Sequence, residues 1–207
     1  MPKQTFFNLS DDKRQILIDA MMKEFSRVPL HEASVANIVK AAGIPRGSFY
    51  QYFEEKDEAY YFLLEQHSKE NQETFISNLI RFEGDIFITF IEMFKGMLKR
   101  FQDKEDRNFF RNTFLNMNYK TENTFTQKFN EGSYNENFSQ IGNLINKDKL
   151  NIESDKELFH MLRIIMAVTF QNLIQNFTKE LLFEEATRNY VLDLNLLKKG
   201  FCKEECQ

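Results

Sequence analysis

Apolar side chains recur every three or four residues along most of this chain, a spacing that predicts α-helices. The first predicted helix covers residues 10–26, with Ser10 as its N-cap and Pro29 marking its end. Its apolar stripe consists of Leu17, Ala20, Met21 and Phe25. The sequence shows neither strand-like alternation nor an internal repeat, and it therefore indicates an all-α fold.

Two short helices are predicted next, and they meet at a tight turn. Ser34 is the expected N-cap of the second helix, and Gly43 ends it in the left-handed conformation that glycine adopts most easily. Pro45 is the expected first residue of a third helix to about residue 51, because the N–H that proline lacks has no partner at that position. Three helices in the first 52 residues, the last two joined by a glycine turn, predict a helix-turn-helix unit.

Longer periodic segments fill the middle of the chain. Their spacing predicts a fourth helix over residues 55–81 and two further helices over 85–102 and 104–117. Residues 119–151 are rich in Asn, Thr and Ser, and we interpret them as a helix interrupted near Gly132.

The helix predicted for residues 155–178 is apolar around nearly its whole circumference, so every side of it needs cover. The protein's own core can cover one face, and a second copy of the chain is the simplest cover for the other. The last predicted helix, 183–199, could supply the partner surface, so that two helices from each chain form a four-helix interface. The residues predicted at this interface are Ile165, Val168, Asn172, Tyr190, Leu194 and Leu197.

Composition narrows the function classes. The 207 residues carry a net charge of −4, which argues against a polybasic coat for nucleic acid. The first 56 residues hold eight basic and seven acidic side chains, so this segment is less acidic than the rest and could approach a polyanion locally. The chain has 23 Phe and no Trp, and most of the Phe lie after residue 56, which indicates a bulky, cavity-forming interior there.

Chemistry-bearing residues are sparse. Cys202 and Cys206 are better explained as surface thiols than as half a metal site, and with no signal peptide they indicate a reducing cytoplasm. No apolar run reaches the roughly 18 residues of a membrane span. No nucleophile–base pair, metal-ligand spacing or glycine-rich phosphate loop stands out, so we predict no cofactor and no metal, and an enzyme ranks below other functions.

The segment GIPRGSFYQYFEEK, residues 43–56, concentrates groups that suit a DNA duplex. A recognition helix presents polar groups to the major groove while a packed scaffold holds its other face, and Phe49 and Phe53 can point into that scaffold. Arg46 can pair with a guanine edge or a phosphate, and Gly47 keeps the helix surface low for close approach. The other groups expected to face the duplex are Pro45, Ser48, Tyr50, Gln51, Tyr52 and Lys56.

Residues 34–64, SVANIVKAAGIPRGSFYQYFEEKDEAYYFLL, resemble the DNA-binding region of the tetracycline-repressor (TetR) family of bacterial regulators. The family pattern is an A-x-A-G-like turn followed by G-[ST]-[FILV]-Y-x-[YH]-F-x-x-K. The matching residues, all in register, are Ala41, Ala42, Gly43, Gly47, Ser48, Phe49, Tyr50, Tyr52, Phe53 and Lys56. The resemblance implies a DNA-binding domain over 1–54 and a ligand-binding and dimerisation domain over 55–207.

The resemblance also implies a role for each matching position. Ser34 and Ser48 would contact phosphates at helix N-termini, and Arg46 and Gln51 would read the base sequence. Pro45 departs from the Ser or Thr that is commoner there, and the phosphate contact of that hydroxyl is lost. The side chains implied to hold the DNA backbone are Tyr50, Tyr52 and Lys56.

The resemblance further implies a homodimer formed through the last two long helices and a ligand cavity among the middle ones. Apolar residues of this kind are more often core than pocket lining, and a histidine is more often structural or exposed. The residues that could line the cavity are His67, Phe90, Phe94, Phe110, Phe114, Met117 and Phe170. We therefore expect a dimeric, ligand-responsive repressor that binds an inverted-repeat operator in double-stranded DNA and a small, mostly hydrophobic effector. The alternative is an all-helical carrier or sensor of hydrophobic molecules with a vestigial DNA-binding head, which would have no need of the intact motif.

Overall fold

The structure is a computed structural model and describes residues 1–126 and 141–203. These residues are mostly helical and contain no strand, which confirms the predicted all-α class. The α-helices are α1 Gln4–Phe7, α2 Asp11–Arg27, α3 Val35–Ala42, α4 Arg46–Tyr52, α5 Lys56–Arg81, α6 Ile86–Arg100, α7 Lys104–Leu115, α8 Tyr119–Thr126, α9 Asp155–Lys179 and α10 Phe183–Phe201. Residues 141–144 are also helical, Lys147–Lys149 form a 3₁₀ turn, and one antiparallel bridge pairs Leu150 with Cys202.

Most predicted helices begin and end within two residues of the observed ones, but the first was missed. The helix α1 precedes the one that the sequence analysis treated as the first. Its four residues are too few to show a helical period, so the pattern could not reveal it. Ser10 is the N-cap of α2 as predicted, although its side chain makes no capping hydrogen bond.

The chain divides into two compact units, each with its own packing. The first unit comprises Met1–Lys69 and Phe101–Thr124, and the second comprises Glu70–Arg100 and Phe125–Gln207. The boundary predicted after residue 54 separates a DNA-binding domain from a ligand-binding and dimerisation domain. It is defined by function and not by packing, and it stays a prediction.

Within the first unit, α2 packs against both α3 and α7. The ring of Tyr60 on α5 lies 5.3 Å from the ring of Phe25 on α2 and 5.7 Å from that of Phe109 on α7. Burial raises the pKa of Tyr60 to about 12, although its hydroxyl donates a 2.9 Å hydrogen bond to Thr113. The side-chain amide of Asn112 on α7 donates to the carbonyl of Phe25 at 3.0 Å, at the C-terminal end of α2. These contacts hold α2 against α5 and α7.

Within the second unit, α10 packs against α6 and α9. The ring of Tyr190 stacks on that of Phe94 at 4.1 Å, and its hydroxyl lies 2.7 Å from that of Thr169. The amide of Asn172 donates to a carboxylate oxygen of Asp193 at 2.8 Å. Polar groups therefore join α9 and α10 within a single chain.

Gly84, before α6, is a position where the fold requires glycine. Its φ of 78° lies in the left-handed region. An added Cβ would also meet the backbone N of Asn146 and the backbone O of Leu144, each at 2.5 Å.

The interface prediction was wrong for three of its residues. Ile165, Tyr190 and Leu194 are fully buried inside the chain itself, so their side chains offer no surface to a second copy. Asn172 is also buried, and Val168 and Leu197 are half-exposed. The prediction failed because the apolar circumference of α9 does not show which side the chain's own core covers. The exposed large apolar side chains of the two last helices are Ile164, Leu192 and Leu196.

Both cysteines were expected at the surface, but Cys202 is buried. It follows α10 directly, and its backbone forms the antiparallel bridge with that of Leu150. Cys206 lies outside the described residues. So does Gly132, where an interruption of the helix was predicted. In the part of the chain that the structure covers, no helix combines the length and the apolar character needed to cross a membrane.

Candidate nucleic-acid interface

The turn between α3 and α4 is built on Gly43. This residue has φ 65° and ψ 29°, the left-handed conformation predicted for it. The next residue, Ile44, donates its N–H to the carbonyl of Val39 at 3.1 Å, which pairs a carbonyl that the helix end leaves open. Pro45 was predicted as the first helical residue, but it is the extended N-cap, and the helix begins at Arg46.

Two phenylalanines fix α4 to its scaffold. Phe49 and Phe53 are fully buried, with their ring centroids 5.4 Å apart. Phe53 lies one residue beyond the helix, and its ring is 6.2 Å from that of Phe62 on α5. The inward-facing role predicted for both phenylalanines is confirmed.

The opposite side of α4 is open to solvent. Arg46, Gly47 and Gln51 are exposed, and Tyr50 is 41 % exposed with its ring edge against Phe49 at 5.6 Å. A Cβ added at Gly47 would meet no atom within 4 Å, so no contact among residues 1–126 and 141–203 requires a glycine there. The remaining predicted contact residues differ in exposure: Pro45 is exposed, and Ser48 and Tyr52 are half-buried.

Glu24 organises the N-terminal end of α3, a role that the sequence analysis missed. Its carboxylate accepts hydrogen bonds from the backbone N–H of Ser34 at 2.8 Å and from the side-chain amide of Asn37 at 3.1 Å. Arg27 binds the same carboxylate through two nitrogens, at 2.8 and 2.9 Å. The available signal was the position of Glu24 on the apolar stripe of α2, three residues after Met21.

The environment of Glu24 favours its charged form. The residue is 4 % exposed, and burial alone would raise its pKa. The hydrogen bonds from Arg27, Ser34 and Asn37, together with the charge of Arg27, outweigh burial and lower the pKa below its ordinary value. Glu24 is therefore an anionic link between α2 and α3.

Ser34 is the N-cap residue of α3, but its hydroxyl makes no capping hydrogen bond. The residue is half-buried, and its backbone N–H is held by Glu24. Its hydroxyl is therefore not used by the helix. The phosphate contact implied for Ser34 stays a prediction.

Lys56, predicted to contact DNA phosphates, is half-buried at the start of α5. Its ammonium donates hydrogen bonds to the carbonyls of His31 and Ala33, at 3.0 and 2.9 Å. These carbonyls belong to the loop that leads into α3. A lysine ammonium has three N–H donors, so one remains beyond the two used here. The phosphate contact of Lys56 stays a prediction. The contact that the structure shows is with the loop before α3.

The predicted effector-lining residues fall in both compact units. His67, Phe110, Phe114 and Met117 belong to the first unit, where the ring of His67 lies 5.1 Å from that of Phe110. Phe90, Phe94 and Phe170 belong to the second unit. Their lining role stays a prediction.

Two open clefts can be described, one in each unit. A cleft of about 310 Å³ in the first unit lies around the start of α5, and half of its lining residues are acidic. A cleft of about 250 Å³ in the second unit includes Lys149, Lys198 and Cys202 in its lining. No predicted effector-lining residue borders either cleft. The residues that the structure describes include no group of three His, Cys, Asp or Glu that could hold a metal ion.

Two family models match this chain. The model for bacterial regulatory proteins of the tetR family matches residues 17–58, which contain α2, α3 and α4. The model for the tetracyclin repressor-like C-terminal domain matches residues 85–201, more than half of the chain. No curated protein matches the sequence.

Solved structures share the fold at low sequence identity. SmeT, the repressor of the Stenotrophomonas maltophilia multidrug efflux pump SmeDEF, is 13 % identical with a TM-score of 0.71, over 98 % of this chain and 95 % of that one. A putative TetR-family regulator from Syntrophomonas wolfei is 20 % identical with a TM-score of 0.66, over 91 % and 96 %. The fatty acid degradation regulator FadR from Bacillus halodurans is 18 % identical with a TM-score of 0.63, over 90 % and 98 %.

Proposed function

Because the chain belongs to the tetracycline-repressor (TetR) family of bacterial DNA-binding regulators, we propose that it is a ligand-responsive repressor. It binds an inverted-repeat operator as a dimer and leaves the operator when a small, mostly hydrophobic effector binds. A cytoplasmic location is part of the same proposal.

The observation that carries this proposal is the two-sided character of α4. One side is fixed by Phe49 and Phe53, which are fully buried. The other exposes a guanidinium, an amide and a tyrosine hydroxyl from Arg46, Gln51 and Tyr50. A rigidly held short helix with an open polar face is what reading of base edges in the major groove requires.

Phosphate contacts are proposed around this reading face. The hydroxyls of Ser34, Ser48, Tyr50 and Tyr52 and the third N–H of Lys56 are the proposed donors. Gly47 supports the proposal, because no contact within the described part of the chain needs a glycine there, and its missing side chain leaves room for a duplex to approach closely.

The proposed dimer uses the exposed side of the last two helices rather than the buried residues first predicted. Leu192 and Leu196 lie one turn apart on α10 and are 59 % and 58 % exposed, and Ile164 on α9 is also exposed. Apolar groups this exposed are stabilised when a partner covers them. We propose that a second copy of the chain covers them. An inverted-repeat operator has two symmetric half-sites, and a symmetric dimer matches that arrangement.

The proposed effector is apolar. Of the chain's 30 aromatic side chains 23 are Phe, and the candidate lining residues contribute few polar atoms. Two proteins of the same fold are described as the repressor of a multidrug efflux pump and as a regulator of fatty acid degradation. Both descriptions are compatible with effectors such as an aromatic drug-like compound or an acyl chain.

Selection of bound fragments from genomic DNA tests the proposal. Full-length protein should enrich fragments that share an inverted repeat, and binding should weaken steeply as salt rises. A reporter gene placed behind the recovered site should be silenced when the protein is present. Enrichment of no sequence would favour the alternative of a helical carrier with a vestigial head, and activation of the reporter would overturn the repressor role alone.

A further inference from the structure

The backbone carbonyls at the C-terminal end of α4, the proposed recognition helix, need hydrogen-bond donors from outside the helix. The helix has seven residues, well below the length at which isolated helices are stable in water. The last backbone bond within the helix runs from Phe53 N–H to the carbonyl of Phe49. The next three carbonyls, of Tyr50, Gln51 and Tyr52, have no partner further along the helix.

Residues 3–6, which we name the N-terminal strap, supply those partners. The backbone N–H of Lys3 donates to the carbonyl of Tyr52 at 2.8 Å. The Lys3 ammonium donates to the carbonyl of Tyr50 at 3.0 Å, and the Thr5 hydroxyl donates to the carbonyl of Gln51. Three successive carbonyls at the end of α4 are thus each paired with the strap.

Phe6 anchors the strap to the scaffold. It is fully buried, and its ring lies 5.1 Å from that of Phe53 and 5.0 Å from that of Phe62 on α5. The strap therefore joins the end of α4 to the start of α5. The positive charge of Lys3 also lies where the helix dipole favours it.

We propose that Lys3 and Thr5 are positioning residues for DNA reading. They fix the direction of α4, and through it the angle at which Arg46 and Gln51 meet the duplex. This inference rests on the proposed function, since it gives the strap a purpose only if α4 reads DNA. It assigns a part in recognition to side chains outside the helix-turn-helix motif.

The alternative role for Lys3 is a direct contact with a DNA phosphate. Variants of Thr5 distinguish this role from positioning, because they remove a hydrogen bond to α4 without changing the charge. Thr5→Val removes one donor, changes no charge and keeps the shape of the side chain, whereas Thr5→Ser keeps the donor. Lys3→Met removes the ammonium, and Lys3→Arg keeps a donor for the carbonyl of Tyr50. A phosphate contact would lower the salt slope by about one unit when its charge is removed.

The test uses full-length protein tagged at its C-terminus and a fluorescein-labelled duplex recovered from the genomic selection. We expect Thr5→Val to bind this duplex roughly 2- to 10-fold more weakly, the equivalent of one surface hydrogen bond, with an unchanged salt slope. Binding to a random-sequence duplex should change less. Thr5→Ser should restore binding, and Lys3→Arg should outperform Lys3→Met.

Amide hydrogen exchange gives a readout that needs no DNA. The Phe53 N–H should exchange faster in Thr5→Val than in wild type, and the amides of α9 should be unaffected. If wild-type protein binds no duplex, the proposed function fails, while hydrogen exchange still decides whether the strap holds α4. If Thr5→Val binds the duplex as tightly as wild type does, and its Phe53 N–H exchanges no faster, the proposal is overturned. A lower salt slope in Lys3→Met combined with an inert Thr5→Val would also overturn it.

Discussion

The carboxylate of Glu24 on α2 accepts a 2.8 Å hydrogen bond from the backbone N–H of Ser34, which opens α3. Because the folded-state pKa of Glu24 lies below its ordinary value of 4.5, its contribution to stability is fully present above that ordinary value. The contribution is lost as the pH falls through the lowered pKa. Acid should therefore loosen the junction between α2 and α3.

We expect Glu24→Gln to lower the melting temperature at neutral pH. The neutral amide cannot form an ion pair with Arg27, and its NH₂ group would face the donors of Ser34 and Asn37. The difference from wild type should shrink as the pH falls below 4.5, when wild type also loses the charge. Thermal melts over a pH series measure this. Glu65→Gln, an exposed change on α5, is the control. Parallel pH profiles for wild type and Glu24→Gln would contradict the role assigned to this carboxylate.

Lys56→Ala should weaken binding to all DNA sequences alike and lower the salt slope by about one unit, if its third N–H contacts a phosphate. It should also lower the melting temperature, because the carbonyls of His31 and Ala33 lose their donor. Binding titrations at several salt concentrations and thermal melts measure the two effects separately. Lys69→Ala, on the exposed side of the same helix, should change neither. A stability loss with an unchanged salt slope would limit Lys56 to holding the loop.

Arg46→Ala should relax the preference for one base in each half-site at a cost of roughly 1–3 kcal/mol, if the guanidinium contacts a guanine bidentately. Repeating the fragment selection with the variant would show which position loses its preference. Arg111→Ala, an exposed arginine on α7, is the matched control. An unaltered recognition sequence would remove Arg46 from the reading face.

Dimerisation should depend on the exposed side of α10. Leu192→Glu should yield folded monomers, because the charge disrupts an apolar contact between chains while leaving the chain's own core intact. Ile165→Glu should instead prevent folding, since Ile165 is fully buried. Sedimentation and thermal melts distinguish the two outcomes. Ile88→Glu, a change at an exposed isoleucine on α6, should leave the dimer unchanged. If the wild-type protein sediments as a monomer, the dimer is ruled out.

An apolar effector should release operator DNA and stabilise the free protein against heat. Release requires the effector to bind a conformation whose recognition helices are not about 34–36 Å apart, and α5 is the helix that we expect to carry the movement. Coupling of roughly 1–3 kcal/mol would weaken operator binding about 5- to 150-fold. Parallel screens of apolar and charged compounds measure both effects. If only highly charged compounds act, the effector class is wrong while the regulator assignment stands.

Features that depend on neighbouring residues could be predicted from the sequence. The helices followed from apolar spacing, and the tight turn followed from Gly43, whose left-handed backbone is cheap only for glycine. The exposed polar face of α4 was likewise local, because Phe49 and Phe53 had to point away from the polar side chains between them. These properties arise from backbone geometry over a few residues.

Which partner a side chain meets depends on segments far apart in the chain, and only the tertiary structure decided this. Ile164 and Ile165 are adjacent and chemically identical, yet the first is 42 % exposed and the second is fully buried. Lys3 reaches a carbonyl 47 residues away, and Glu24 meets a backbone N–H ten residues further on. Burial and hydrogen bonding of this kind are set by how helices pack, and the local pattern of a sequence does not specify which side of a helix its neighbours will cover.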